Sequence, residues 1–396
     1  LDILKRFGLA CMFRQQTYLL PLTLYWYQAN GLSAADFVSI QGLFILLGLF
    51  VEVPSGYIAD MFSKKFVLLF SFTLFLLRSV LWLNFNGLWV ILLGEMLVLL
   101  SRSFFQGVYD SYVYEYLNTQ GKTAQIVKYC GMVTSFINIG TGTASLLCSA
   151  LYPRFSLYVL LWLEFTATVI AIVLMSFVPN IKVPQKHKDL KKRCQEVIRT
   201  VTTTLSDGRV NHYIVLSAVF ASSTYVFIWS FQPIMKATGV AACMFGVVYF
   251  FNFLFRALAS YFAKDIIGKL GYGKLALLVS FHIFFSLSGM VLSFWLKMPI
   301  LTLLFIFFIC LGIGLQLAFN IMTTAKIQKI AADEVRATKS STNNMVSQGV
   351  SGIILSSFKF ITNESDFLWG YISVFIVYTL ILSVFYLWRR HKNVNA

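Results

Sequence analysis

The chain has 396 residues, 58% hydrophobic and only 12% charged, and its 32 Lys and Arg against 16 Asp and Glu give a formal net charge of +16. Soluble domains carry about a quarter of their residues as charges, so a water-soluble globule is excluded and lipid is the expected main solvent.

Apolar runs near the roughly 20 residues that carry a helix across about 30 Å of hydrocarbon recur along the chain, for example over 66–83, 155–178, 275–296 and 300–318. A transmembrane β-barrel shows segments of about ten residues with alternating polarity instead. Bounded by charges, turn residues, Pro and Gly, the predicted helices fall at 9–29, 35–59, 66–84, 88–115, 124–151 and 155–178. A second set falls at 211–236, 241–266, 274–297, 299–326, 336–361 and 367–388. Lys5 and Arg6 lead directly into the first run with no small-residue cleavage site, so no cleaved signal peptide is expected. Pro179 and Pro184 prevent the sixth helix from continuing. Between them and the seventh helix Leu190, Cys194, Val197, Ile198 and Val201 share a helical face suited to a membrane surface.

The fold class expected is therefore an all-α membrane protein of twelve transmembrane helices in two six-helix pseudo-repeats. Its N-terminal bundle covers 1–178, a basic cytoplasmic linker 179–208, and its C-terminal bundle 209–396. The segment after the second helix, Gly56 to Phe66, is echoed after the eighth, Ser260 to Lys274, as two parallel repeats require.

With both termini cytoplasmic, 24 of the 32 Lys and Arg lie in loops on that side, four within helices, and only Arg154, Lys236, Lys297 and Lys359 on the other. Such asymmetry fixes orientation. The charge follows topology and forms no stripe on a module, so no nucleic-acid partner is expected; the lipid bilayer, with its anionic inner leaflet, is. The six cysteines have neither metal-ligand nor redox spacing. No G-x-x-x-x-G-K-[ST] loop and no catalytic constellation occurs, which argues against ATP-driven transport and against an enzyme. No metal or cofactor is expected.

After the second helix the sequence reads Glu52, Pro54, Ser55, Gly56, Ala59, Asp60, Met61, Ser63, Lys64, Lys65. A glycine here lets another helix approach closely, and an aspartate at a helix end can face the positive N-terminus of another helix. In this string, and over nearly its whole length, the chain resembles the major facilitator superfamily, specifically its bacterial drug and metabolite transporter branch. Met61 stands where the family has a basic residue and Ser63 where it has Gly. The resemblance implies a monomeric alternating-access carrier in the bacterial inner membrane. It also implies a conformational latch made of Glu52, Gly56, Asp60, Lys64, Lys65 and the start of the eleventh helix at Arg336. A weaker signature in the fourth helix, Arg102 to Gly107, has its arginine one residue early. The Gly-Pro motif of proton-coupled drug antiporters is missing from the fifth.

Charges at membrane depth are costly and usually face a cavity or each other. Arg14, Arg78, Arg102 and Arg256 lie within predicted helices, as do Glu52, Glu95, Asp110 and Glu164. By helical spacing, Arg14, Tyr18, Pro21, Tyr25 and Gln28 share a face of the first helix, and Glu95, Arg102, Gln106 and Asp110 one of the fourth. Tyr225, Trp229 and Gln232 do so on the seventh, and Gln316, Asn320 and Thr323 on the tenth. In the family these four helices line the central cavity. The substrate-binding candidates are Arg14, Tyr18, Tyr25, Arg102, Gln106, Tyr225, Trp229, Asn252, Arg256, Gln316 and Asn320.

Four buried Arg and no buried Lys suit an anionic solute such as a carboxylate metabolite or siderophore, because guanidinium grips carboxylate or phosphate bidentately. Glu95, Asp110 and Glu164 are the candidate proton carriers, since desolvation favours the protonated carboxyl. The plainer alternative is static pairing, Arg78 with Glu95 and Arg102 with Asp110 or Glu164. His212 and His282 each stand alone and read as hydrogen-bonded packing. The expected function is proton-coupled secondary transport of a small organic solute; a multidrug/proton antiporter and a transport-inactive receptor or assembly partner are the rivals.

Overall fold

The computed structural model describes residues 2–122, 125–181, 195, 208–330, 336–361 and 367–394. The apolar face expected on the linker falls outside them. All regular structure among the described residues is helical: α1 (Asp2–Arg14), α2 (Thr23–Ala29), α3 (Ala34–Met61), α4 (Lys64–Asn84), α5 (Leu88–Thr119), α6 (Ile126–Leu151), α7 (Leu157–Ser176), α8 (Gly208–Ala237), α9 (Cys243–Tyr261), α10 (Ala263–Leu296), α11 (Pro299–Ile330), α12 (Arg336–Ser356) and α13 (Leu368–Val394), with a single turn Phe358–Ile361 before the last. Among the described residues eight helices, α3, α4, α5, α7, α8, α9, α10 and α11, are long and apolar enough to cross a membrane. With α6, α12, α13 and the pair α1 and α2 they occupy the twelve segments expected.

The first segment departs from expectation. A continuous helix over 9–29 was predicted, but α1 stops at Arg14, the backbone is irregular to Leu19, and a 3-10 turn at Leu20–Leu22 leads into α2. Pro21 explains the interruption, because it brings no N–H and its ring crowds the carbonyl four residues earlier. A second break sits in α10, where Gly271 has φ of 64° and divides a leading helical stretch from the membrane-length one.

The chain forms two compact units. One comprises Leu1–Leu32, Leu47–Gln195 and Ala242–Ala257; the other comprises Ser33–Leu46, Glu196–Ala241 and Leu258–Ala396. Each unit thus holds one helical segment from the other half of the sequence: the start of α3 in the second, most of α9 in the first.

In the first unit α4 packs on α5 and α7, and α1 on α6 and α7. Phe7, Phe72, Phe105, Tyr112 and their neighbours form its apolar core. Helices come close where glycine removes a side chain: Gly140 abuts the Met12 carbonyl, Gly94 the Trp82 indole, and Gly246 the Ser145 carbonyl. This is how membrane helices associate without a hydrophobic drive between them. In the second unit α10 packs on α11, and α8 on α11 and α12. There the start of α3 lies against α12, with Gly42 on the backbone of Leu355 and Ser356, and Gly352 on Leu46. Beside this seam Lys359 Nζ pairs with Asp36 Oδ1 at 2.6 Å, and its backbone N–H donates to Ser39 Oγ at 2.9 Å.

Gly140→Val drives a branched side chain into backbone that cannot turn aside, so the purified protein is expected to lose about 1–3 kcal/mol or more of stability. Thermal unfolding in detergent checks this, with Gly131→Ala, where a Cβ meets nothing within 4 Å, as the neutral control.

Candidate functional site

The break in the first segment frees backbone groups inside the first unit, and buried groups of this kind must find partners. The N–H of Leu19 donates to Glu164 Oε1 at 2.8 Å. The other carboxylate oxygen accepts from Arg78 Nη1 at 2.6 Å, and Glu164 is 0% exposed. The structure therefore pairs Arg78 with Glu164 of α7, where sequence spacing offered Glu95. Glu95 is buried and accepts from the Tyr27 hydroxyl at 2.8 Å.

Arg14 closes α1 at the edge of the break. Its Nη2 donates to Ser101 Oγ at 2.7 Å, Nη1 reaches Gln15 Oε1 at 3.5 Å, and Nε has no partner. The Ser101 hydroxyl is fixed in turn, donating to the Ser71 carbonyl at 2.7 Å, while Ser71 Oγ donates to the Ser101 carbonyl at 2.8 Å. The Phe75 ring lies 4.1 Å from the Arg14 guanidinium and 4.4 Å from that of Arg78. Cation–π contact of this sort stabilises a desolvated guanidinium without neutralising it. Two buried guanidinium groups thus share one ring, and the carboxylate between them is committed to Arg78.

The remaining candidates of this unit fall in the break and on three helices, α2, α5 and α9. Tyr18, in the break, is buried and bonds Gln16 through its hydroxyl, while the Tyr25 ring of α2 lies 6.0 Å from Tyr152 and 5.7 Å from Phe245. On α5, Arg102, Gln106 and Asp110 share an exposed stripe; Arg102 acts electrostatically on Glu52, and Asp110 meets the side chains of Cys130 and Tyr109. On α9, Asn252 is fully buried, and half-buried Arg256 lies 5.8 Å from the Phe253 ring.

At the latch sequence, Ser63 caps α4: its Oγ accepts from the Phe66 N–H at 3.4 Å. This gives the departure from the family's glycine a local use, since Ser is a favoured N-cap. Lys64 is half-buried in the first turn of α4, and Lys65 Nζ donates to the Ser176 carbonyl at 2.6 Å, placing a cation at the negative end of α7. Gly56, Asp60 and Arg336 lie outside the residues whose surroundings the structure describes.

In the second unit α8 and α11 bring their polar faces together. Gln316 Nε2 donates to Ser223 Oγ at 3.1 Å and approaches His282 Nδ1 at 3.4 Å, and its Oε1 accepts from Thr224. His282 comes from α10, reaches Ser286 Oγ at 3.1 Å, and fits only because residue 312 is glycine. Asn320 Oδ1 accepts from Ser217 at 3.1 Å, and Thr323 Oγ1 donates to the same serine at 3.1 Å. Tyr225 and Trp229 are half-buried, with the Trp229 ring 5.9 Å from Phe37. The sequence reading did not find Ser71, Ser101, Ser217, Ser223 or Thr224. Short hydroxyl side chains are common in membrane helices, and only their pairing across helices marks these.

The family model described as Major Facilitator Superfamily matches residues 7–356. The chain belongs to the major facilitator superfamily. Solved structures of similar fold include a point mutant of the nucleoside transporter NupG, with a TM-score of 0.79, 13% identity, and coverage of 97% of this chain and 98% of that one. A POT family transporter in complex with a thioalcohol-conjugated peptide matches with TM-score 0.74 and 13% identity, covering 97% and 95%. The peptide transporter POT in complex with sulfate matches with TM-score 0.73 and 13% identity, covering 98% and 93%. Among curated proteins none matches in sequence. This superfamily member is thus a multi-pass membrane protein and a transporter of small solutes, built on the twelve-helix fold.

Breaking a buried ion pair from one side leaves an uncompensated charge and costs about 3–5 kcal/mol. Arg78→Leu and Glu164→Leu are each expected to show this loss in thermal unfolding, with the double replacement less destabilised than the sum. Additive losses show that the two side chains do not act as a pair.

Proposed function

We propose that the chain is a proton-coupled secondary carrier of a small organic anion, such as a carboxylate metabolite or siderophore, working by alternating access between the bundles 1–178 and 209–396 in the bacterial inner membrane. The observation that carries this reading is Arg14. Arg14 is 4% exposed, and among the described residues no carboxylate forms an ion pair with it. A buried unpaired charge is retained only against a large penalty, and an anionic solute at Arg14 offsets that penalty each time it binds. The guanidinium presents several donors in a fixed fork, of which the protein uses few. Tyr18, Tyr25, Arg102 and Gln106 complete the surface on this side. Tyr225, Trp229, Gln316 and Asn320 are their counterparts in the second unit.

Asp110 and Glu95 are the proposed proton carriers. Glu164 belongs to the same proposal, its proton uptake being tied to release of Arg78. Glu52, Gly56, Asp60, Lys64, Lys65 and Arg336 form the proposed latch, by resemblance to the family, and the carrier works as a monomer with both termini cytoplasmic.

Counterflow of labelled organic anions through proteoliposomes tests the carrier. Arg14→Gln is expected to lower anion exchange at least about tenfold, the order of one charge-assisted hydrogen bond, with the protein still inserted and folded; unchanged exchange sinks the assignment of Arg14. Coupling is checked separately by imposing a pH gradient. Asp110→Asn or Glu95→Gln is expected to abolish gradient-driven accumulation while sparing exchange, and an unaltered response in both removes them as carriers of the proton.

A further inference from the structure

Asn252 of α9 is 0% exposed, and neither its carboxamide oxygen nor its nitrogen has a hydrogen-bond partner among the described residues. A carboxamide offers two donors and an acceptor with two lone pairs, and interiors rarely leave such a group wholly unused. The contrast is Gln316 in the second unit, whose amide is taken up by Ser223, Thr224 and His282.

The register of the helices shows what Asn252 faces. Gly8 meets Phe136 and Gly140 meets Met12, so α1 and α6 run parallel. Gly246 meets Ser145 and Ser149, while Gly142 meets Phe250 and Phe253, so α9 runs antiparallel to both. Gly246, Phe250 and Phe253 are the face of α9 spent on α6. Asn252 lies about 100° around from Phe253, on the face of Phe245, Tyr249 and Arg256, and the Phe245 ring touches Tyr25 of the first segment. Seven residues further along, about 10 Å at the helical rise, Asn252 comes level with the break after Arg14. At membrane depth such irregular backbone is either buried in protein or lines a water-filled cavity, and in many transporters interrupted helices form the solute site.

Building on the carrier reading, we infer that Asn252 binds the neutral part of the transported anion. A carboxamide sets a donor beside an acceptor, and its complement is an N–H next to a C=O or ring nitrogen, as in amides and nucleobases. The solute class is a small organic anion with an amide-like edge, its charge held at Arg14 and its edge at Asn252.

The test uses orotate and benzoate, two planar aromatic carboxylates of which only orotate has adjacent N–H and C=O groups. Both are titrated against the purified full chain, reading ligand-induced thermal stabilisation. Wild type is expected to bind orotate at least about tenfold more tightly, as sites built to hydrogen-bond a polar edge do. Asn252→Leu is expected to erase that preference, leave benzoate within about twofold, and melt no lower without ligand, because it removes an unpartnered polar group from the interior. Equal affinity in wild type, no stabilisation by orotate, or a preference surviving in Asn252→Leu overturns the inference. So does a lowered melting temperature of the unliganded protein in both Asn252→Leu and Asn252→Ala, which marks a structural amide. The carrier reading falls on a different result, the failure of any solute to exchange across proteoliposomes.

Discussion

Glu164 serves the first unit through both of its oxygens. One neutralises Arg78, and the other takes the Leu19 N–H that the interrupted first segment leaves without a helical acceptor. In hydrocarbon a freed backbone donor has no water to turn to, so the break at mid-segment depends on a carboxylate from another helix. That carboxylate is tolerable only because a guanidinium compensates it. Helix break, acid and Arg78 therefore form one mutually dependent set, and Arg14, seated against the same Phe75 ring, has no ion-pair partner of its own among the described residues.

The two units meet the demand for polar satisfaction by different means. The first uses charges: two buried guanidinium groups, Glu164, and Glu95 held by Tyr27. The second, around Gln316 of α11, uses hydrogen-bonding side chains without an ion pair: Ser223 and Thr224 of α8, and His282 and Ser286 of α10. Neutral hydrogen bonds between membrane helices contribute modestly, about 0.6 kcal/mol on average, but they fix side-chain orientation with no uncompensated charge. The uncompensated polar demand of the first unit is thus carried by a buried guanidinium, and the polar groups around Gln316 in the second are mutually bonded without an ion pair.

Much of the fold was legible because lipid imposes a length and a composition on each helix, so apolar runs and basic loops located all twelve segments. The break after Arg14 was not. Pro21 opposes a continuous helix, but a hydropathy reading averages it, with Gln15, Gln16 and Thr17, into the surrounding apolar run. Pairing was less legible still. Spacing brings Arg78 near an acid without selecting Glu164 over Glu95, because partner choice depends on which helices are neighbours, and α4 lies between α5 and α7. The lone His282 was read as hydrogen-bonded packing; that Gly312 opens the space it fills is a contact between distant positions that no local pattern encodes.

The exchange of segments between units follows the order of the two halves. The start of α3 docks on α12, and α9 docks on α6; in the order of the twelve segments these are the second on the eleventh and the eighth on the fifth, equivalent pairs under a six-segment repeat. Both seams are made through glycine, Gly42 and Gly352 in one, Gly142 and Gly246 in the other. Small residues let the backbones of membrane helices approach closely. The ion pair of Asp36 with Lys359 pins only the end of the first seam, where Lys359 is largely exposed and the pair contributes little. Both seams thus join segments from different halves of the sequence through the same kind of small-residue contact.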